Sequence, residues 1–231
     1  MWQIKFQNEY YYHIYNRGVD KRDVFMDQKD YLRFLTSLRE FNCMHQVISL
    51  HQLLVNRDKK PSHALAKAYD GLDDSLVSII AYCLLPNHYH LLLKQKSEIG
   101  ISKFMHKVSM GYTNYTNFKY KRSGSLFQGR FKSVPIKTDA QLLYISAYIN
   151  GNPEIHKIAK ADKWPWSSYQ EYLGAKPNPS NAFIKALDGL GVLKSVILKE
   201  FENIKNYQDY VIEVIENSSE IKEEIKKCLL E

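Results

Sequence analysis

The sequence predicts an α+β fold, an antiparallel sheet with helices packed on one face. Three observations carry that expectation. Residues 76–85 and 88–94 are strand-length apolar runs separated only by Pro86-Asn87, a spacing that favours an antiparallel hairpin. Residues 27–41 and 100–120 carry apolar side chains at helical spacing. The elements run strand, helix, three strands, helix, short strand, helix, an order suited to a sheet with segregated helices.

Taken in order, residues 10–15 are aromatic and β-branched, as a strand requires, and Asn16-Arg17-Gly18 is a turn signal. In residues 27–41, Tyr31, Phe34, Leu35, Leu38 and Phe41 share one helix face, and Asp27 is placed to cap it. Residues 47–55 read as a second strand, followed over 56–74 by a polar connection containing Lys59-Lys60-Pro61-Ser62 and Asp70-Gly71. The hairpin follows. Ile101, Phe104, Met105, Val108 and Tyr112 then line one side of a long basic helix that Ser123-Gly124 breaks. Residues 131–136 suit only an edge strand, because Pro135 has no N–H to donate. Thr138 or Asp139 can cap a last helix running to about Asn152, with Pro153 ending it.

Beyond that point the composition changes. Trp164-Pro165-Trp166-Ser167-Ser168-Tyr169 is an aromatic knot, residues 175–180 are Pro-rich, and 181–231 look helical and charged. The expected organisation is a main domain over 1–175 and a small helical appendage over 176–231, with no internal repeat. A chain of 231 residues, 45% hydrophobic, has material for this. No apolar run approaches the roughly 20 residues of a membrane span. The first residues do not read as a signal peptide, so a cytoplasmic location is expected. Cys43, Cys83 and Cys228 lie far apart with no Cys-x-x-Cys spacing, which favours free buried thiols over a disulfide framework.

The formal net charge of +7 is unevenly spread. Residues 99–138 hold Lys103, Lys107, Lys119, Lys121, Arg122, Arg130, Lys132 and Lys137 and no acid, whereas 199–231 are net acidic. A basic middle suggests a polyanionic partner, the plainer alternative being a solvated helix face.

Chemistry concentrates at His88-Tyr89-His90. Side chains alternate along a strand, so His88 and His90 share a face while Tyr89, Leu91 and Leu93 point to the other, toward a core. Two imidazoles about 7 Å apart along a strand can converge on one cation; two histidines satisfied by hydrogen bonds are the structural alternative. Two ligands do not complete a site. Tyr148 and Asn152, four apart, share one helix face. Asn152 offers an amide oxygen, a hard ligand suited to Mg or Mn. Tyr148 offers a phenol that can attack phosphorus and form a covalent phosphotyrosine, with a nearby cation easing deprotonation. Seventeen tyrosines make a core or surface role the common alternative for any one of them.

These residues carry a resemblance. Tyr11-Tyr12-His13-Ile14-Tyr15-Asn16-Arg17-Gly18 with Val24-Phe25, Leu84-Leu85-Pro86-Asn87-His88-Tyr89-His90-Leu91-Leu92, Gly124-Ser125-Leu126-Phe127-Gln128-Gly129-Arg130-Phe131-Lys132, and Tyr148-Ile149-Asn150-Gly151-Asn152-Pro153 occur in that order, and Trp166-Ser167-Ser168-Tyr169 fits the region beyond. Together they resemble the single-tyrosine HUH transposases, and more narrowly the REP-associated tyrosine transposases, over roughly residues 8–173. The resemblance implies a ferredoxin-like sheet, a divalent metal (Mg or Mn) on His88 and His90 with Asn152 as third ligand, and attack by Tyr148 through a 5′-phosphotyrosine. It also implies single-stranded DNA with hairpins from repetitive elements as substrate. One departure is the Asn150-Gly151 pair, since Gly weakens a helix by roughly 1 kcal/mol relative to Ala and threatens to distort the turn that carries Asn152. Tyr144 is a rival nucleophile on the same face, and Tyr112 and Tyr115 are more distant ones.

Arg17, Arg22, Lys119, Lys121, Arg122, Arg130 and Lys132 are the candidate phosphate contacts, which give affinity and salt dependence but not sequence. Tyr112, Tyr115, Phe118 and Tyr120 interleave with them, as stacking platforms or as core. Two other readings compete: a non-catalytic nucleic-acid-binding module using the sheet surface, with Tyr10 and Tyr12 stacking bases, and a zinc hydrolase, for which the motif supplies no adjacent acid. Either a monomer or a homodimer fits.

Overall fold

The computed structural model describes residues 5–44, 75–174 and 190–218. Strand β1 (Tyr11–Arg17) leads through a 3-10 turn (Val19–Lys21) to helix α1 (Gln28–Glu40). The hairpin follows as β2 (Val77–Leu85) and β3 (His88–Gln95), then helix α2 (Gly100–Lys119), strand β4 (Lys132–Pro135) and helix α3 (Asp139–Ile155). A 3-10 turn (Ala161–Lys163) and helices α4 (Tyr169–Tyr172), α5 (Ser195–Leu198) and α6 (Ile204–Glu216) follow. The strand expected over 47–55 and the connection over 56–74 lie outside the described residues, as does Cys228; Cys43 and Cys83 are free and buried.

The sheet order is β2-β3-β1-β4, antiparallel at every pairing, which is the ferredoxin-like arrangement. β4 sits at the edge, as Pro135 demands. β1 runs two residues into the expected turn because Asn16 and Arg17 pair with Tyr89 and His88. Asp27 caps α1, accepting from Asp30 N in a reciprocal capping box. Thr138 caps α3 by accepting from Gln141 N at 3.1 Å.

The expectation of helices on one face needs correction. α1 and α2 do cover one face, where Phe34, Leu35, Leu38, Ile101, Phe104, Met105 and Val108 pack on Tyr12, Ile14, Tyr89, Leu91 and Leu93. The opposite face is covered as well: Leu142, Ala147 and Ile149 of α3 and Tyr207, Val211 and Val214 of α6 pack on Ile80, Ala81, Cys83, Leu85 and Leu92. The cause is legible in β2, whose nearly unbroken apolar run gives both faces hydrophobic surface that must leave water. Each large side chain buried in these layers contributes roughly 1.5–3 kcal/mol.

A second correction concerns Pro153. α3 does not stop before it but continues to Ile155. The ring forfeits one helical N–H, yet the turn closes through His156 N to the Asn152 carbonyl (3.0 Å) and Ile158 N to the Pro153 carbonyl (2.8 Å). The aromatic knot seals the free edge of β2: Leu84 N donates to the Trp166 carbonyl (2.9 Å), Ser168 N to that of Tyr82 (2.9 Å) and Trp164 Nε1 to that of Leu84 (3.0 Å). Among the described residues no helix is long and apolar enough to cross a membrane.

Candidate active site

Alternation along β1 and β3 sends two sets of side chains to the α3 face. From β3 come His88 and His90; from β1 come His13, Tyr15 and Arg17, with Tyr15 opposite His90 and Arg17 opposite His88. Tyr148 on α3 faces them. Its ring centroid lies 5.8 Å from that of His90 and 6.3 Å from that of His13, edge-on to both. The rings of His88 and His90 are 5.1 Å apart, and those of Tyr15 and His90 5.8 Å apart. The structure thus brings together the histidine pair and the tyrosine named from sequence. Of the rivals, Tyr144 stacks on Tyr148 at 6.3 Å. Tyr112 and Tyr115 belong to the other face, bonded to the Val24 carbonyl and to Asp30.

Sequence reading missed two members. His13 Nε2 lies 2.8 Å from His90 Nδ1, with the rings stacked at 5.0 Å. The His156 ring lies 4.9 Å from His88. Both carry a signal in hindsight: His13, Tyr15 and Arg17 alternate along one strand, and Tyr148, Asn152 and His156 are spaced by four along one helix. The helix ending expected at Pro153 hid the latter.

Burial shapes the electrostatics. His13 is held down to about 4 by desolvation. His88 falls to about 3, through desolvation and then the charges of His156 and Arg17. His90 lies well below its ordinary value through desolvation, His13 and the other neighbours. All three imidazoles are therefore neutral near pH 7, the form in which a histidine binds a cation. Burial pushes the Tyr148 phenol up, against which the Asn152 side chain works in the opposite sense.

Asn152 is fully buried; its Nδ2 donates to the Tyr148 carbonyl at 2.8 Å, and its Oδ1 is buried with no hydrogen-bond partner. An orphaned amide oxygen beside the tyrosine is a donor with an open valence. Among the described residues no three His, Cys, Asp or Glu side chains are grouped to hold a metal ion. A donor set of two imidazoles and one amide oxygen lies outside that description, and its chemistry suits a hard divalent cation.

The Asn150-Gly151 departure has a structural explanation. Asn150 Nδ2 donates to Tyr207 Oη (2.8 Å) on α6, and its Oδ1 accepts from Ser168 Oγ (2.7 Å). A Cβ on Gly151 would stand 2.8 Å from Ile215 Cγ1. The pair serves the packing of α6 against α3, and the turn bearing Asn152 remains helical.

The candidate phosphate contacts divide. Arg17 lies beside the histidines, and its Nε is buried without a partner. Lys132 stands 6.0 Å over the Tyr15 ring, and Arg130 is exposed in the loop that Asn16 Nδ2 anchors through the Gly129 carbonyl (3.1 Å). Lys121 is exposed. Arg122 bonds the Ser125 carbonyl, and Arg22 pairs with Asp20 at the surface. Lys119 is engaged by Asp27 and Asp30, both at 2.7 Å, so its charge is already matched. Phe118 is 88% exposed, whereas Tyr112 is buried.

Comparison with known proteins agrees with this geometry. No curated protein is matched by the chain. A solved structure of a REP-associated tyrosine transposase bound to a REP hairpin has a TM-score of 0.50 at 15% identity, covering 78% of this chain and 88% of that one, a likeness of fold. Residues 51–152, spanning the hairpin, α2, β4 and the tyrosine helix as far as Asn152, match the family model of IS200-like transposases. Over that segment, which carries His88, His90 and Tyr148, the chain is similar to the IS200-like transposases, and it shares its fold with the solved transposase.

Proposed function

We propose that this protein cuts and rejoins single-stranded DNA bearing hairpins, acting in the cytoplasm through Tyr148 with a divalent cation, Mg or Mn, held by His88, His90 and Asn152. The observation that carries the reading is the approach of the Tyr148 ring to within 5.8 Å of His90 on the sheet face where the neutral imidazoles gather. A solved relative in fold is bound to a REP hairpin, which supports the substrate class.

In the proposed step Tyr148 Oη forms a bond to phosphorus and the P–O3′ bond breaks. The phenol gives up its proton and the departing 3′ oxygen gains one. The product is a 5′-phosphotyrosine and a free 3′-hydroxyl, and reversal at a new 3′-hydroxyl rejoins the strand with no external energy source. A bound cation would polarise the phosphate and favour the phenolate. Asn152 lowers the phenol against the effect of burial. Arg17 brings a half-buried guanidinium whose Nε lacks a partner, suited to a phosphate oxygen, and Arg130 and Lys132 extend positive charge from it. Lys119 is left out of the DNA path because Asp27 and Asp30 hold it.

A binding module that stacks bases on an open sheet is disfavoured. Both faces are covered, and of the two rings that reading uses Tyr12 is 3% exposed, Tyr10 alone being open. The test is incubation with labelled hairpin DNA and Mn, followed by denaturing electrophoresis. The wild type gives a shifted covalent band; Tyr148→Phe removes it while DNA binding stays within about twofold, because one hydroxyl contributes little to a phosphate-dominated affinity. A persistent band in that variant transfers the role to another tyrosine, and no band from the wild type refutes the nuclease reading.

A further inference from the structure

A metal-binding imidazole offers a lone pair at one nitrogen only when its proton sits on the other. For His88 the surrounding bonds decide where it sits. Asn87 Nδ2 donates to the Lys21 carbonyl at 3.1 Å. A carbonyl can only accept, so the amide nitrogen faces Lys21 and the amide oxygen faces His88, at 2.6 Å from Nδ1. That oxygen also can only accept. His88 Nδ1 therefore carries the proton, and Nε2 keeps the lone pair.

The anchor is rigid. Gly18 N donates to the Asn87 carbonyl (2.9 Å), and Val24 N (2.7 Å) and Phe25 N (3.0 Å) donate to that of Pro86, which fastens the 18–25 turn to the hairpin. Lys21 adopts φ 60°, a left-handed conformation held by its N–H to the Gly18 carbonyl (3.0 Å). A side chain on Gly18 would meet the Arg22 carbonyl at 2.2 Å, so the turn requires glycine there.

His90 is held at the same atom by a different residue. Its Nδ1 faces His13 Nε2 at 2.8 Å, in a pair of stacked rings that are 7% exposed. If His90 is the donor, His13 takes the complementary tautomer and His90 Nε2 is left free.

We propose that Asn87 and His13 are positioning residues, each holding one imidazole of the pair in its Nδ1–H tautomer so that both present Nε2 to a cation. The proposal rests on the metal site proposed above. Outer partners of this kind typically govern metal affinity by 10–100-fold.

The test has two readouts. Long-range 1H–15N spectra of metal-free, 15N-histidine-labelled protein report the tautomers, and titration with Mn alone, followed by its EPR signal, reports affinity. The wild type is expected to show Nδ1–H at both His88 and His90. Asn87→Ala should release His88 toward the Nε2–H form that free imidazole side chains prefer in water, and weaken Mn binding about 10–100-fold. Asn87→Asp, which keeps an acceptor at the same place, should restore both. His13→Phe should do to His90 what Asn87→Ala does to His88, and His13→Gln, whose amide oxygen can accept, should recover it. Nε2–H at either histidine in the wild type overturns the proposal, as do Asn87→Ala and His13→Phe variants with unchanged tautomers and Mn affinity. Because the tautomer measurement needs no metal, a wild type with the expected tautomers and no affinity for Mn counts against the metal site and not against the positioning roles.

Discussion

The two faces of one sheet bury different kinds of polar group. On the α1/α2 face a buried carboxylate and a phenol are fully paired, while Arg33 Nε, Glu40 Oε2, Tyr89 Oη and Asn117 Oδ1 have no hydrogen-bond partner. Asp30, fully buried, accepts from Met26 N (2.8 Å), Tyr115 Oη (3.1 Å), Tyr120 Oη (2.8 Å) and Lys119 Nζ (2.7 Å), and Tyr112 Oη donates to the Val24 carbonyl (2.7 Å). On the α3 face the buried groups are neutral imidazoles, paired at one nitrogen, with two unpartnered atoms beside them. Four histidines gather with no carboxylate among the groups that shift His13, His88 or His90, the Asn152 oxygen lacks a donor and Arg17 Nε an acceptor. Buried polar groups ordinarily find partners, and an unpartnered amide oxygen and guanidinium nitrogen beside neutral imidazoles suit a cation and a phosphate that arrive from outside. The same alternation that sends Tyr89 and Leu91 to one layer sends His88 and His90 to the other.

The largest expected effect on stability comes from lowering pH on the α3 face. A neutral buried imidazole whose folded pKa lies below its unfolded value of about 6.5 takes up fewer protons than the unfolded chain at acidic pH. Stability is full above about 6.5 and is lost as pH falls toward the folded values, about 4 for His13 and about 3 for His88. Each of these two contributes a loss on the order of 2–3 kcal/mol by pH 4. Urea unfolding of metal-free protein between pH 7 and pH 4 measures it; a midpoint independent of pH over that interval would mean that the imidazoles are not buried neutral.

Next in size is a break in the paired carboxylate of the α1/α2 face. Lys119→Met leaves Asp30 buried without its cation, at a cost on the order of 2 kcal/mol or more, read as a lower urea midpoint with an unchanged slope. The comparison predicts a clean separation of effects. Mn affinity and the Tyr148 adduct of the folded protein should be unaltered, since Lys119 belongs to the other layer. A lost adduct in folded Lys119→Met would place this lysine in the DNA path after all.

How far these differences are legible in sequence depends on which interaction produces them. Local periodicity is enough for the elements: Tyr31, Phe34, Leu35, Leu38 and Phe41, read as one helix face, are all buried, as are Ile101, Phe104, Met105, Val108 and Tyr112. It is also enough to pair His88 with His90, because period two is a property of any strand. The membership of His13 is not visible until β1 is known to lie beside β3 in the register that sets Tyr15 against His90, a long-range fact. His156 was obscured by a local rule, that proline ends a helix, which tertiary packing overrode at buried Pro153. The charge of residues 99–138 reads as one polyanion-binding stretch, yet Lys103 and Lys107 donate to the carbonyls of Met44 and Cys43 and Lys119 to carboxylates. Composition cannot separate a structural cation from a free one.

The smallest expected effect sharpens the role of α6. Gly151 lowers the intrinsic helicity of α3 by roughly 1 kcal/mol relative to Ala, so on propensity alone Gly151→Ala should stabilise the protein. Packing predicts the reverse, because the new Cβ would stand 2.8 Å from Ile215 Cγ1 and 3.3 Å from Ile215 Cδ1. Overpacking costs typically about 1–3 kcal/mol, and Ile215, only partly buried, can yield somewhat. The net expectation is destabilisation by about 1 kcal/mol. Ile215→Ala opens the space, so in the double variant the Gly151→Ala change should become neutral or favourable, a coupling of about 1 kcal/mol in a double-mutant cycle. Measured by thermal unfolding, a raised midpoint for Gly151→Ala alone would show that α6 does not press on this turn. A destabilisation relieved by Ile215→Ala would show instead that the glycine serves the docking of α6 on the outer side of the helix, while Tyr148 and Asn152 of the same helix serve the histidines.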